Sequence, residues 1–237
     1  MAGNIESGRD QGLARMKIYS GPLSMFGAKV QIAALEKAIP FELVMVPFEL
    51  KSGYVPKHPD VLRVNPKGQV PIIIHDDLEI FDSTQIFEYL EDLQRESSLW
   101  PADPKSRARA RLLEHKSDEI YFPHVIRMMH HWATPEHPLA VAAREQASLY
   151  HLEMDELLAD REFLAEQLSY ADIAFYMAQL FAARMRADLS ADTPRLLRWR
   201  ARMTSRPSVA SVVRPMARYV VSQGLYFPQC VAELLEE

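Results

Sequence analysis

Between Met16 and about Asp92, short runs of β-type residues alternate with helix-like stretches. "MKIY" at 16–19 predicts a brief strand. Residues 24–38, rich in alanine and free of internal proline, predict a helix. "FELVMV" at 41–46, with its β-branched valines, predicts a second strand. Residues 47–66 carry Pro47, Pro56, Pro59 and Pro66 and read as irregular chain. "VPIII" at 70–74 and "LEIF" at 78–81 then predict a hairpin around "HDD". From Ser83 to about Leu93, the residues Ile86, Tyr89, Leu90 and Leu93 recur at i, i+3, i+4 and i+7, one apolar face of a helix.

After "QRESSLWPADP" (94–104) no alternating pattern returns. Helices are expected at about 105–132, 138–160, 170–186, 193–204 and 208–222. The third is the clearest. Ser169 and Asp172 have the spacing of a capping box with Asp in place of Glu, and Ile173, Tyr176, Met177, Leu180 and Phe181 mark a broad apolar face behind it. The predicted organisation is a polar tail over 1–15, a β-α-β-loop-β-β-α domain over 16–92, a linker over 93–104, and an all-helical domain over 105–237. A βαβ unit requires two parallel strands with a crossover helix, and a following hairpin adds an antiparallel edge. This is the pattern of a thioredoxin-like α/β domain joined to a helical bundle.

Composition narrows the function classes. The 237 residues are 48% hydrophobic and 25% charged, which suits a globular chain of two modest domains. The net charge of -5 and the lack of a basic stripe give no footprint for nucleic acid, and "KSRARAR" at 105–111 reads as a solvated helix start. A single cysteine, Cys230, allows no intrachain disulfide and fits a reducing compartment. No apolar stretch approaches the roughly 20 residues of a membrane span, and the N-terminus lacks the apolar core of a signal peptide. A cytoplasmic protein without membrane or nucleic-acid partners is expected.

Three short stretches carry candidate chemistry. In "NPKGQVPIII", Pro71 heads an apolar strand where it cannot donate to a ladder. It is either a trans strand start or a cis bond that turns the Val70 amide and carbonyl outward, ready to pair with an extended peptide. In "FDST", Asp82 and Ser83 stand at a strand-to-helix junction. They are an N-cap pair, and such a helix start also binds carboxylate while Asp82 attracts an ammonium group. In "YSGPLSMFGAKV", Ser24 heads the first predicted helix, as a cap, as a ligand contact, or as both.

Together with "SYADI" in the helical half, these stretches resemble the glutathione transferase superfamily, serine type, over about residues 16 to 222. The resemblance implies a cis Val70–Pro71 bond and glutathione as co-substrate, with no metal. It implies that Val70 pairs with the glutathione backbone and that Asp82 and Ser83 hold the γ-glutamyl end, Asp standing where the family more often has Glu or Gln. Lys57 and Gln69 match the segment that receives the glycine end. It further implies a two-fold homodimer.

The implied reaction is attack of the glutathione thiolate on a small hydrophobic electrophile. A free thiol near pKa ~8.5 is only a few per cent thiolate at neutral pH, so a hydroxyl at a positive helix end gains rate by stabilising the anion. Ser24 is the leading candidate for that hydroxyl, and Tyr19, at the end of the first strand, is its competitor. The acceptor pocket is expected between the domains. In "YFPHVIRMMHHW", Tyr121, His124, Met128 and Trp132 fall at i, i+3, i+7 and i+11 and are assigned to it, with interhelical core as the alternative. His124, His130, His131 and His137 are not read as a metal site, because adjacent histidines on a helix diverge by about 100°. The alternatives to conjugation are a non-catalytic binding or scaffold protein of the same fold, or a glutathione-dependent lyase, dehalogenase, peroxidase or isomerase.

Overall fold

A computed structural model describes residues 16–226 and 228–235. The tail expected over 1–15 lies outside them. Strands β1 (Lys17–Ser20), β2 (Glu42–Met45), β3 (Ile72–His75) and β4 (Leu78–Phe81) form one sheet in the order β2-β1-β3-β4. β1 and β2 run parallel, with Tyr19 opposite Val44, and helix α1 (Met25–Glu36) makes the crossover between them. β3 lies antiparallel to β1, with Tyr19 also opposite Ile72, and β4 returns antiparallel along β3. This is the thioredoxin-like arrangement that the alternation of patterns predicts.

Two details of this half depart from the sequence reading. The proline-rich stretch 47–66 is not wholly irregular, because α2 spans Pro59–Val64. Pro59 occupies the first turn, where its missing N–H costs nothing, and the His58 ring accepts from the Asp60 N–H at 3.2 Å. Six residues are too few for a period to show in the sequence. Second, the inner face of α3 (Ser83–Leu93) is Ser83, Ile86, Phe87 and Leu90, whereas Leu93 is 44% exposed. Phe87 is drawn inward by a parallel stack on Tyr170 of the helical half, 3.7 Å between ring centroids.

The second half contains α4 (Pro104–Lys116), α5 (Phe122–His130), α6 (Pro138–Leu158), α7 (Tyr170–Arg184), α8 (Pro194–Thr204) and α9 (Pro207–Ser222), followed by a 3₁₀ turn over Gln229–Leu235. Five of these helices open on a proline in the first turn, which presets φ without breaking a hydrogen bond. The single helix expected over 105–132 is interrupted. A π turn, Ser117–Tyr121, joins α4 to α5, and α5 ends at His130. The basic run at its start is solvated, with Lys105, Arg109 and Arg111 exposed, while Arg107 donates to the Pro101 and Ala102 carbonyls and Arg111 pairs with Glu88.

α7 is the central helix, buried from Tyr170 to Ala183. The Asp172 carboxylate, fully buried, accepts from the backbone N–H groups of Leu164 and Ser169 and from the Trp199 ring N–H, all within 2.8–3.0 Å. One apolar core runs through both halves, from Ile18, Val30 and Ile32 to Ile173, Phe175 and Trp199. The halves are also joined by polar links. Lys29 of α1 reaches Glu114 and Asp118, the Tyr170 hydroxyl donates to the Ser83 carbonyl at 3.1 Å, and Arg206 forms a forked pair with Glu36. No described helix is long and apolar enough to cross a membrane.

Candidate functional site

Two neighbouring cavities lie along the segment that leads into β3 and the start of α1. One, of about 420 Å³, is lined by Ser24, Phe26, Lys57, Gln69 and Val70 among others. The other, of about 370 Å³, is lined by Phe26, Gln69, Val70, Asp82, Ser83 and Glu114 among others. Phe26, Gln69 and Val70 belong to both, so the two form a continuous groove with Val70 at its middle.

The Val70–Pro71 bond is cis, as is Val55–Pro56, which the sequence did not single out. The Val70 N–H and C=O make no backbone hydrogen bond with another described residue. The loop before them is held by Asn65, whose side chain donates to the Gln69 carbonyl at 2.7 Å and accepts from the Lys67 N–H at 3.0 Å. Lys57 packs against this loop, its Nζ donating to the Gly68 carbonyl at 2.7 Å and to the Lys67 carbonyl at 3.5 Å. Those bonds occupy two of its three donors.

Ser24 is the N-cap of α1. Its backbone is extended, and its Oγ accepts from the Gly27 N–H at 3.0 Å. The bond uses one oxygen lone pair and leaves the hydroxyl proton free to donate. The residue is 8% exposed, on the wall of the groove. Gly27 is required by this packing. A Cβ there would sit 2.1 Å from the Ser20 Oγ and 2.9 Å from the Ser24 Oγ. Ser20 is itself held by the Gln31 side-chain amide at 2.9 Å. Gly21 is equally constrained, since the Tyr54 ring and hydroxyl lie within 2.5 Å of where its Cβ would be.

Tyr19 is placed differently. Its hydroxyl donates to the Asp60 carboxylate at 2.8 Å, and its ring meets His58 edge-on at 5.3 Å. Burial and then the Asp60 hydrogen bond push the phenol up to about 12. It lines neither cavity of the groove.

At the far end, Asp82 caps α3 from a backbone with φ of +78° and ψ of 127°, outside the left-handed helical well where Asp is enriched. One carboxylate oxygen accepts from the Thr84 and Gln85 N–H groups at 3.1 and 3.2 Å. The other makes no described hydrogen bond, and the residue is exposed. Ser83 follows as the first helical residue, buried.

Sequence reasoning missed the group closing this end. Lys29 is fully buried, 2.5 Å from the Asp118 carboxylate and 3.4 Å from Glu114, with its ammonium over the Phe26 and Tyr170 rings. Thr84 donates to Glu114 at 2.7 Å. Burial raises the Glu114 carboxyl, while Lys29 acts in the opposite direction. The lysine inside the apolar run "FGAKVQIAA" is the signal that points to a buried partner, though not to which one.

The four residues assigned to the acceptor pocket are not brought together at the groove. Tyr121 is fully buried in the helical core, its hydroxyl 2.7 Å from the His151 ring nitrogen. His124 is half-buried, with Nδ1 lacking a partner among the described residues. Met128 and Trp132 line a separate cavity at the end of α5, where Trp132 is 71% exposed. Tyr121, Val125 and Met128 share the face that packs into the helical core, and Trp132 lies beyond the end of α5, where the helical period stops. Instead, the helical half offers the groove Glu114, His115, Asp118 and Glu119. His131 and His137 stack at 4.0 Å, and no group of three or more His, Cys, Asp or Glu is placed to hold a metal among the described residues. Burial pushes the Cys230 thiol up to about 11, so it carries little thiolate near neutral pH.

Comparison with known proteins agrees with this architecture. The glutathione S-transferase N-terminal domain matches residues 18–98, and the glutathione S-transferase C-terminal domain matches residues 116–207. The chain belongs to the glutathione S-transferase family. It is 28% identical over 198 residues to a probable glutathione S-transferase, parC, of Nicotiana tabacum, covering 79% of this chain and 84% of that one. A glutathione S-transferase from Rhodospirillum rubrum superposes with a TM-score of 0.77 at 27% identity, over 92% of this chain and 99% of that one. Ure2p in complex with S-hexylglutathione shares the fold, with a TM-score of 0.74 at 20% identity, over 86% of this chain and all of that one.

Proposed function

We propose that this chain binds glutathione along the groove and conjugates its thiolate to a small hydrophobic electrophile. The observation that carries the reading is the Ser24 hydroxyl. Its oxygen is pinned by the Gly27 N–H, its proton is free, and it stands at the positive end of α1 on the groove wall. A peptide backbone paired with the free Val70 groups brings its cysteine to this point. The Asp82–Ser83 helix start then receives the γ-glutamyl charges, and the remaining Lys57 donor is available to the glycine carboxylate. S-hexylglutathione, bound by Ure2p, is the same peptide with an apolar group on sulfur. Phe26, common to both cavities, offers apolar surface beside Ser24 for the acceptor.

In this mechanism the protein supplies position and electrostatics. A shift of about two pKa units below the free thiol corresponds to about 2.7 kcal/mol of preferential thiolate binding. The thiolate attacks the electrophilic carbon, the carbon–sulfur bond forms, and the leaving group departs with its electron pair. Tyr19 is not used, because Asp60 holds its proton and a raised phenol pKa opposes a role as acid or base.

The test is a glutathione titration of wild type and Ser24→Ala, following thiolate absorbance and conjugation of an aryl chloride. Ser24→Ala is expected to bind glutathione, to lose the thiolate signal, and to lose about 100-fold in kcat/KM. A melting curve separates this from the roughly 1 kcal/mol lost with the cap itself. Binding with neither thiolate formation nor turnover in wild type would assign the chain to the non-catalytic binding reading.

A further inference from the structure

Ser83 stands on the groove wall with only 4% of its surface exposed. Neither its N–H nor its hydroxyl makes a hydrogen bond with another described residue. The Asp82 carboxylate takes the next two N–H groups, those of Thr84 and Gln85, and leaves the Ser83 donors to the groove. Enclosed polar groups are ordinarily paired, so a free donor pair on a cavity wall marks a position for a ligand. Where those donors point depends on what holds the first turn of α3.

That turn is held from the helical half, by a residue that lines neither cavity of the groove. Tyr170, the first residue of α7, is fully buried. Its hydroxyl donates to the Ser83 carbonyl at 3.1 Å, across 87 positions of sequence. Its ring lies flat on Phe87, one turn further along α3, with 3.7 Å between centroids and 3° between planes. Trp100 meets both rings edge-on, 5.0 Å from Phe87 and 6.0 Å from Tyr170. The ring contact sets the spacing of α7 from α3, and the directional O–H bond sets the position of Ser83 along it. Thr84, the next residue, is tied to Glu114 of α4.

We propose that Tyr170 is a positioning residue for the γ-glutamyl end of the groove, an inference that rests on the glutathione reading above. It touches no ligand. It acts through Ser83, aiming the free N–H and hydroxyl at the ligand's α-carboxylate. Short bonds to a carboxylate are directional and charge-assisted, so a small displacement of the serine weakens them.

The experiment uses the full chain and two probes, glutathione and cysteinylglycine, which is glutathione without its γ-glutamyl group. The ratio of their dissociation constants, measured by calorimetry, reports the γ-glutamyl end alone. Wild type is expected to prefer glutathione by at least about tenfold. Tyr170→Phe keeps the ring on Phe87 and loses only the hydroxyl. It should lower the ratio about fivefold, while cysteinylglycine binds as it does to wild type. The KM for glutathione should rise by the same factor with kcat for an aryl chloride unchanged, because ground state and transition state lose the same contact. Tyr176→Phe controls for general loosening. It removes a buried hydroxyl from the same helix, one bonded to Thr204 at 2.9 Å and lining neither cavity, and should leave the ratio unchanged.

An unchanged ratio in Tyr170→Phe, an equal loss of cysteinylglycine affinity, or an equal fall in Tyr176→Phe would each overturn this inference and leave the glutathione reading in place. A wild type with no preference for glutathione over cysteinylglycine would overturn the γ-glutamyl assignment, and the role of Tyr170 with it.

Discussion

The two halves of this molecule build polar sites by different means. In the thioredoxin-like half, the groove is made from backbone features and short neighbouring motifs: the cis Val70–Pro71 bond, the Asp82 cap of α3 and the Ser24 cap of α1. Each polar group is satisfied within two or three residues and keeps a free side for a ligand. In the helical half, polar groups are buried at crossings of distant segments. Asp172 ties α7 to Leu164 and Trp199, and Asp155 caps α8 across 40 residues of sequence. Local caps can change with modest loss of stability, whereas a buried crossing takes several donors with it.

The largest expected effect tests that contrast directly. Asp172→Ala leaves the Leu164, Ser169 and Trp199 donors buried without an acceptor, and should lower unfolding free energy by about 4 kcal/mol in urea titration. A loss no greater than that of Ser24→Ala would erase the distinction between the halves.

His151 gives the next effect, through pH. Burial holds its pKa at about 4, below the ordinary 6.5, while its ring nitrogen pairs with Tyr121. As pH falls, the unfolded chain takes up this proton first. The stability is therefore complete above about 6.5 and declines toward about 4, by up to about 3 kcal/mol. His151→Gln should flatten that segment of the stability–pH curve relative to wild type. An unchanged slope would show that another group is responsible.

Gly27→Ala sharpens the comparison from the other side. The new methyl displaces the Ser20 and Ser24 hydroxyls, at about 1–2 kcal/mol. The thiolate signal of bound glutathione should fall with it, although residue 27 touches no part of the proposed ligand. The smallest effect is expected from Tyr19→Phe, which breaks the Asp60 bond at about 1 kcal/mol. Its conjugation rate should match wild type, and a large loss would restore Tyr19 as the activating hydroxyl.

How much of this was legible in the sequence follows from the same distinction. The parallel pair with its antiparallel hairpin, both caps and the cis bond follow from residues adjacent in the chain or from the family resemblance they carry. Of the residues assigned to the acceptor, Tyr121 and Met128 are buried with Val125 in the helical core, the alternative that the spacing left open, and Trp132 lies beyond the end of α5, a choice between faces that periodicity alone does not make. α2 escaped notice for lack of length, and Leu93 was placed inside when Phe87, stacked on Tyr170, is the buried residue.

The sequence by itself determined the alternation of strands and helices, the prolines that open the helices, and the polar residues standing at helix starts. These are effects of near neighbours, set by backbone sterics and capping. Only the tertiary structure decided that Lys29 meets Glu114 and Asp118, that Asp60 occupies Tyr19, and that Tyr170 reaches the Ser83 carbonyl. Such pairings join residues tens of positions apart. Their energies depend on burial, which no local pattern specifies.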